Sequence, residues 1–333
     1  MTQVHQTIVA APPRASSRWG ELGGFGGRMI ASPEGVLGFV VGPPGSGKSA
    51  LFQTCPDAFI FNLDPSSTTI PGEPGQEAPQ PKALMWPGIS PEGRTLADNG
   101  EPFVLSWSHV EQKVFVLKQM AQANKPRPKV VVFDSISAMI SLIKAWLPGR
   151  AADFNIANEN KTVWKELNGL AAWDFLYDRI IENFQTLRSH GYGVYVVGHV
   201  VNAKVQLGEN QTSFIPELTI TDNFWKRLYP WFEIVLVAQA LDEIVSIPDP
   251  RWKPDPKFPN AKPRMLPLQK RRVYLTTGGN EFSGITKVRV PISTVLLEPA
   301  SSAWDVFVTK YKEAAERGTL EAKEVAPPPA PKS

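Results

Sequence analysis

The run Gly42-Pro43-Pro44-Gly45-Ser46-Gly47-Lys48-Ser49 meets every fixed position of the spacing G-x-x-x-x-G-K-S. An apolar run, Val36 to Val41, precedes it, and Ala50-Leu51-Phe52-Gln53 can open a helix after it. Strand, glycine-rich loop and helix, in that order, make the context of a phosphate-binding loop. Gly42, Gly45 and Gly47 let the backbone wrap closely round phosphate oxygens. Pro43, Pro44 and Ser46 fill the variable positions. The loop N–H groups and the start of the helix, through Ala50, then face the anion. Lys48 can reach the β- and γ-phosphates of a nucleoside triphosphate such as ATP, and the Ser49 hydroxyl can hold Mg²⁺.

A magnesium site needs a second acid. Asp134 ends the β-branched run Val130-Val131-Val132-Phe133, at the strand end where open α/β sheets gather ligand chemistry. It is read as a metal-holding carboxylate, although Asp-Ser before an apolar run is also a good helix cap. Hydrolysis needs a group to orient water. Asp64 ends a second strand, Ala58 to Leu63, where a carboxylate can polarise the attacking water; Asp-Pro is equally a turn starter. His199 ends another apolar strand, Tyr192 to Gly198, and either senses the γ-phosphate or is a structural histidine.

These residues require parallel strands alternating with helices. Strands are expected at 36–41, 58–63, 103–107, 129–135, 192–199, 233–237, 272–276 and 285–290, with a small hairpin around Ala83 to Trp86. Helices are expected at 109–123, 136–147, about 162–189 and 304–315. The fold class is therefore α/β, a doubly wound, mostly parallel sheet with helices on both faces. Proline and glycine clusters mark the loops. Residues 1–27 read as a flexible N-terminus, 28–318 as one domain and 319–333 as a proline-rich tail. Residues 65–101 form a long excursion, 248–267 a basic proline-rich segment, and 148–161 and 200–216 polar loops.

Composition narrows the classes. The net charge is +3, so no global basic field advertises nucleic acid. One cysteine, Cys55, leaves no internal disulfide and suits a reducing compartment; it reads as a small buried residue. Four histidines and one cysteine leave no credible zinc site. No apolar stretch approaches the roughly 20 residues that span a bilayer, and the N-terminus lacks a signal-peptide pattern. A cytoplasmic protein with no membrane partner is expected.

The order of strand, GPPGSGKS, FNLDP, VVVFDSIS, long helix and GVYVVGHV resembles the RecA-like P-loop ATPases. It is most similar to phage-encoded nucleotide-binding proteins of single-strand annealing and recombination. The likeness covers about 36–64 and 129–240, and ITKVRVP more weakly. It implies a RecA-like ATPase that uses ATP and Mg²⁺, acts on single-stranded DNA, works as a homo-oligomer and resides in the host cytoplasm. Gly42, Gly45, Gly47, Lys48 and Ser49 match the Walker A loop, and Asp134 the Walker B acid. Asp64 falls where the family has a catalytic glutamate, and His199 where it has a nucleotide-sensing glutamine. The loops 148–161 and 200–216, the latter with Lys204, fall where the family contacts DNA. Lys287 and Arg289 resemble a basic pair that completes a neighbour's ATP site; they also read as two exposed strand residues.

Independently of that resemblance, ten basic residues stand against two acids between Arg251 and Arg289. They include Arg251, Lys253, Lys270, Arg271 and Arg272, interleaved with Trp252, Phe258 and Tyr274. Positive charge with aromatics suits a single-stranded nucleic acid; a solvated basic loop is the alternative. A scaffold switched by nucleotide with little turnover, and a P-loop phosphotransferase, are the other functions considered.

Overall fold

In a computed structural model the described residues are 32–64, 81–90, 94–147, 170–208, 211–249, 251–253, 260, 262–263, 265–276, 287–288, 295–297 and 303–324. The expected N-terminal segment 1–27, the loop 148–161, the residues 162–169 of the long helix, and Arg289 lie outside them.

The strands are β1 (Leu37–Gly42), β2 (Ala58–Asn62), β3 (Leu84–Trp86), β4 (Gly88–Ile89), β5 (Thr95–Leu96) and β6 (Val130–Asp134). They continue with β7 (Gly193–Gly208), β8 (Gln211–Leu218), β9 (Ile234–Pro248), β10 (Met265–Thr276), β11 (Lys287–Val288) and β12 (Val295–Leu297). The helices are α1 (Lys48–Gln53), α2 (Trp107–Gln122), α3 (Ile136–Trp146), α4 (Leu170–Ser189), α5 (Asp222–Leu228) and α6 (Ala303–Glu324).

The main sheet runs β12-β10-β9-β1-β7-β6-β2-β3. Its six strands from β9 to β3 are mutually parallel, while β10, β11 and β12 join antiparallel. Alternation along each parallel strand divides the core in two. Phe39, Val41, Phe59, Phe61, Val131, Phe133, Val194 and Val196 face α2, α3, α4 and α5. Val40, Ile60, Val130, Val132, Tyr195 and Val197 face α1 and α6. Both faces are covered along the central strands, so β1, β6 and the sheet portion of β7 read as near-continuous apolar runs. This is the expected doubly wound α/β fold.

Five local expectations are corrected. Phe103 to Trp107 is no strand: only Pro102 makes an isolated bridge, to Leu96. Ser106 instead caps α2, with His109 Nδ1 accepting the Ser106 N–H in return. A Ser with a polar partner three residues on favours a helix start over a strand. Ala83 to Trp86 is no hairpin: Leu84–Trp86 extends the sheet beside Phe59–Phe61, in parallel. The expected loop 200–216 is a β-ribbon, because β7 continues to Gly208 and pairs antiparallel with β8. β9 likewise runs past 237 to Pro248, paired along its length with β10. The C-terminal helix extends beyond Ala315 to Glu324. In α2 the inward face is Trp107, Val110, Val114 and Leu117, while Val116 is exposed.

Candidate functional site

The site forms where β1, β2 and β6 end and where β7, at His199, passes from the sheet into its ribbon. β7 lies between β1 and β6, with His199 opposite Gly42 and Val197 opposite Asp134. Asn62, at the end of β2, is the register partner of Asp134. The chain order therefore brings the P-loop, Asp64, Asp134 and His199 to one edge.

The loop between β1 and α1 needs its glycines for separate reasons. Gly45 and Gly47 have φ of 73° and 77°, the left-handed region that side chains disfavour. Gly42 is held by space: a Cβ there would lie 2.2 Å from the Ala238 carbonyl oxygen and 2.6 Å from Ser46 Oγ. The loop thus lies against β9.

Lys48 is only 4% exposed. Its ammonium donates to the carbonyl oxygens of Gly42 (2.9 Å) and Pro43 (2.8 Å), and to Ser46 Oγ at 3.4 Å. Burial pushes Lys48 down to about 8, and the nearby Asp134 carboxylate opposes that shift. The loop has closed over its own lysine, an arrangement of neutral oxygens that an anion would outcompete.

Ser49 Oγ donates to Asp134 Oδ2 at 2.5 Å. Asp134 is 3% exposed and its neighbour Ser135 occupies the cap position of α3 with no side-chain cap bond. The carboxylate is thus turned to the P-loop and not to the helix. A hydroxyl and a carboxylate, both oxygen donors, fit a hard divalent cation that also takes phosphate oxygens.

Asp64 stands beside this pair. The N–H groups of Leu63 and Asp64 both donate to the Asp134 carbonyl, at 2.8 and 3.1 Å. His199 is half-buried, and its Nδ1 has no hydrogen-bond partner among the described residues. Burial lowers its pKa, Lys48 lowers it further, and Asp64 raises it. Those electrostatic couplings tie His199 to both sides of the site.

Reasoning from sequence missed three polar residues here. Asn62, 2% exposed, is the polar end of Phe-Ile-Phe-Asn, and that pattern was readable. Ser137 and Thr219 carry no local signal. Their hydroxyls lie 3.1 Å apart, and Thr219 donates to the His199 carbonyl through N (3.0 Å) and Oγ1 (3.3 Å).

The basic candidates are spread along the β9–β10 ribbon and elsewhere. Lys270 is opposite Glu243, Arg271 opposite Asp242 and Arg272 opposite Leu241. Two of the three cations therefore share a ladder position with an acid. Arg251 and Lys253 are exposed beyond the end of β9. Lys204 lies in β7 opposite Phe214, and Lys287 in β11 opposite Val235. These residues do not gather at the P-loop.

A family model described as an AAA domain matches residues 34–283, most of the chain. The chain belongs to the AAA domain family. The family is one of P-loop, AAA-type ATPases, and its match spans Lys48, Asp64, Asp134, His199 and both ribbons. Lys287 and Arg289 lie beyond the matched residues. No curated protein matches the chain. Among the described residues of the chain, no helix is long and apolar enough to cross a membrane. Cys55 is buried with its thiol pushed up to about 12, which suits packing and not reactivity.

Proposed function

We propose that the protein binds and hydrolyses ATP at the Lys48–Ser49–Asp134 site and uses the nucleotide state to alter its grip on single-stranded DNA. The observation that carries this reading is the Ser49–Asp134 hydrogen bond beside the buried Lys48, with Asp64 just past β2 and His199 on β7, the two strands that flank β6.

Each residue then has a task. Lys48 exchanges the Gly42 and Pro43 carbonyls for β- and γ-phosphate oxygens. The N–H groups of the loop and of α1 face the same phosphates. Ser49 and Asp134 would hold Mg²⁺, which when bound screens the charge on the phosphate oxygens. Asp64 orients the attacking water, and the unpartnered Nδ1 of His199 meets the terminal phosphate or the water beside it. β7 runs from His199 directly into the β7–β8 ribbon, so a change at the phosphate reaches that ribbon without an intervening loop.

The ribbon lies where the resemblance puts a DNA-contacting loop, which supports a role in recombination, annealing or replication of the phage-encoded type. By the same resemblance the active unit is a homo-oligomer in which Lys287 and Arg289 reach a neighbour's ATP. Asp64 is shorter than a glutamate, and this favours a second reading in which nucleotide acts as a switch with little turnover. Phosphate release measured with single-stranded DNA, with duplex DNA and with none tests the proposal. Stimulation by the single strand supports it. ATP binding with no turnover under any condition supports the switch, and no ATP binding overturns both.

A further inference from the structure

The base of the β7–β8 ribbon is clasped on both legs. The ascending leg begins at His199–Val200, and the descending leg ends at Leu218–Thr219. Thr219 donates twice to the His199 carbonyl, through its N–H and its hydroxyl. With the Thr219 hydroxyl proton committed there, Ser137 Oγ is the donor in its 3.1 Å contact with Thr219 Oγ1. The chain of donors runs Ser137 to Thr219 to His199 O.

Ser137 stands three residues after Asp134, in the first turn of α3. Thr219 therefore touches both arms of the phosphate site: β7 at His199 and the first turn of α3, the helix that follows Asp134. The leg that follows is pinned too, since the Thr221 hydroxyl caps α5 and contacts the Tyr177 hydroxyl at 3.1 Å. A displacement at the root is carried outward by two paired strands. β7 alone has nine residues beyond His199, roughly 30 Å if straight.

We infer that Ser137 and Thr219 are positioning residues that couple the phosphate site to the β7–β8 ribbon: their hydroxyl clasp makes the ribbon follow Asp134 as well as His199. This rests on the nucleotide-binding reading above. Neither side chain touches the P-loop contacts described for Lys48 and Ser49. Removing the clasp should leave nucleotide binding intact and disconnect the ribbon from it.

The test uses the full chain and measures amide hydrogen exchange over residues 200–218, with and without a slowly hydrolysed ATP analogue and Mg²⁺. Nucleotide affinity is measured separately on the same samples. Wild type should bind the analogue and change exchange across the ribbon. Ser137→Ala and Thr219→Val should bind with affinity within about twofold of wild type and lose most of that change. Combining them should add little, because either breaks one shared chain. Thr219→Ser, which keeps the hydroxyl, should restore the response. A ribbon that responds fully in the Ala and Val variants overturns the clasp. So does a wild type that binds the analogue with no ribbon response, or a Thr219→Ser variant that behaves as Thr219→Val. Absence of nucleotide binding by wild type would instead overturn the functional reading, and the clasp with it.

Discussion

Ser49 and Asp134, 85 residues apart in sequence, are joined by a 2.5 Å hydrogen bond between the P-loop helix and the end of β6. Between β1, which leads into the P-loop, and β6 the sheet carries β7, whose His199 lies opposite Gly42. This pairing carries the first prediction. Asp134→Asn keeps the shape and removes the charge. Nucleotide binding should persist in the variant, while Mg²⁺-dependent turnover should fall on the order of 100-fold, the scale of losing one preorganised charge contact. A magnesium titration of turnover checks it, and an unchanged magnesium dependence would remove Asp134 from the metal site.

The buried lysine sets a pH dependence. Folding lowers Lys48 from 10.5 to about 8, so between those values the unfolded chain binds more protons. Stability should therefore rise with pH from about 8 to 10.5, recovering about 3 kcal/mol that burial of the charge costs at pH 7. Lys48→Met should flatten that slope. His199 is also lowered, so its contribution rises with pH up to its ordinary value near 6.5 and is complete above it. Denaturant midpoints of wild type, Lys48→Met and His199→Gln across pH 5 to 10 separate the two windows.

Gly42→Ala tests the contact between the P-loop and β9. The added carbon would meet the Ala238 carbonyl and Ser46 Oγ inside ordinary contact distance. Backbone on one side cannot yield cheaply, so the loop must shift. A loss of about 1 to 3 kcal/mol is expected, together with weaker nucleotide binding. Paired measurements of melting and nucleotide affinity decide it; wild-type values in both would show that the loop tolerates displacement.

The fold was legible because both faces of the parallel sheet are covered. Val130 to Phe133 and Val194 to Val197 are uninterrupted apolar runs with a chemical residue at or near each end. That same logic located Asp134 and His199. The failures have a different physics. In β7 and β9 the strands leave the sheet's buried layers and continue as ribbons, where burial on both faces no longer dictates an apolar run. The segment holding Lys204 therefore read as loop, and the one holding Glu243 as no element. The acids Asp242 and Glu243 precede the basic stretch 251–289 in sequence, and only the β9–β10 register brings them opposite Arg271 and Lys270. Ser137 and Thr219 meet through topology alone.

That register gives a prediction about nucleic acid. If the β9–β10 ribbon meets DNA, Asp242 and Glu243 offset Arg271 and Lys270 at the same ladder positions. Asp242→Asn with Glu243→Gln should then raise affinity for single-stranded DNA several-fold and steepen its salt dependence. Fluorescence anisotropy at three salt concentrations reads both. Unchanged affinity and slope would show that this ribbon does not meet the strand.

The most direct measurement of the central claim is ATP binding and phosphate release by Lys48→Ala beside wild type, with circular dichroism as the check on folding. The account predicts a folded variant that has lost nucleotide binding or turnover by at least an order of magnitude. A folded variant that hydrolyses ATP at the wild-type rate would contradict it.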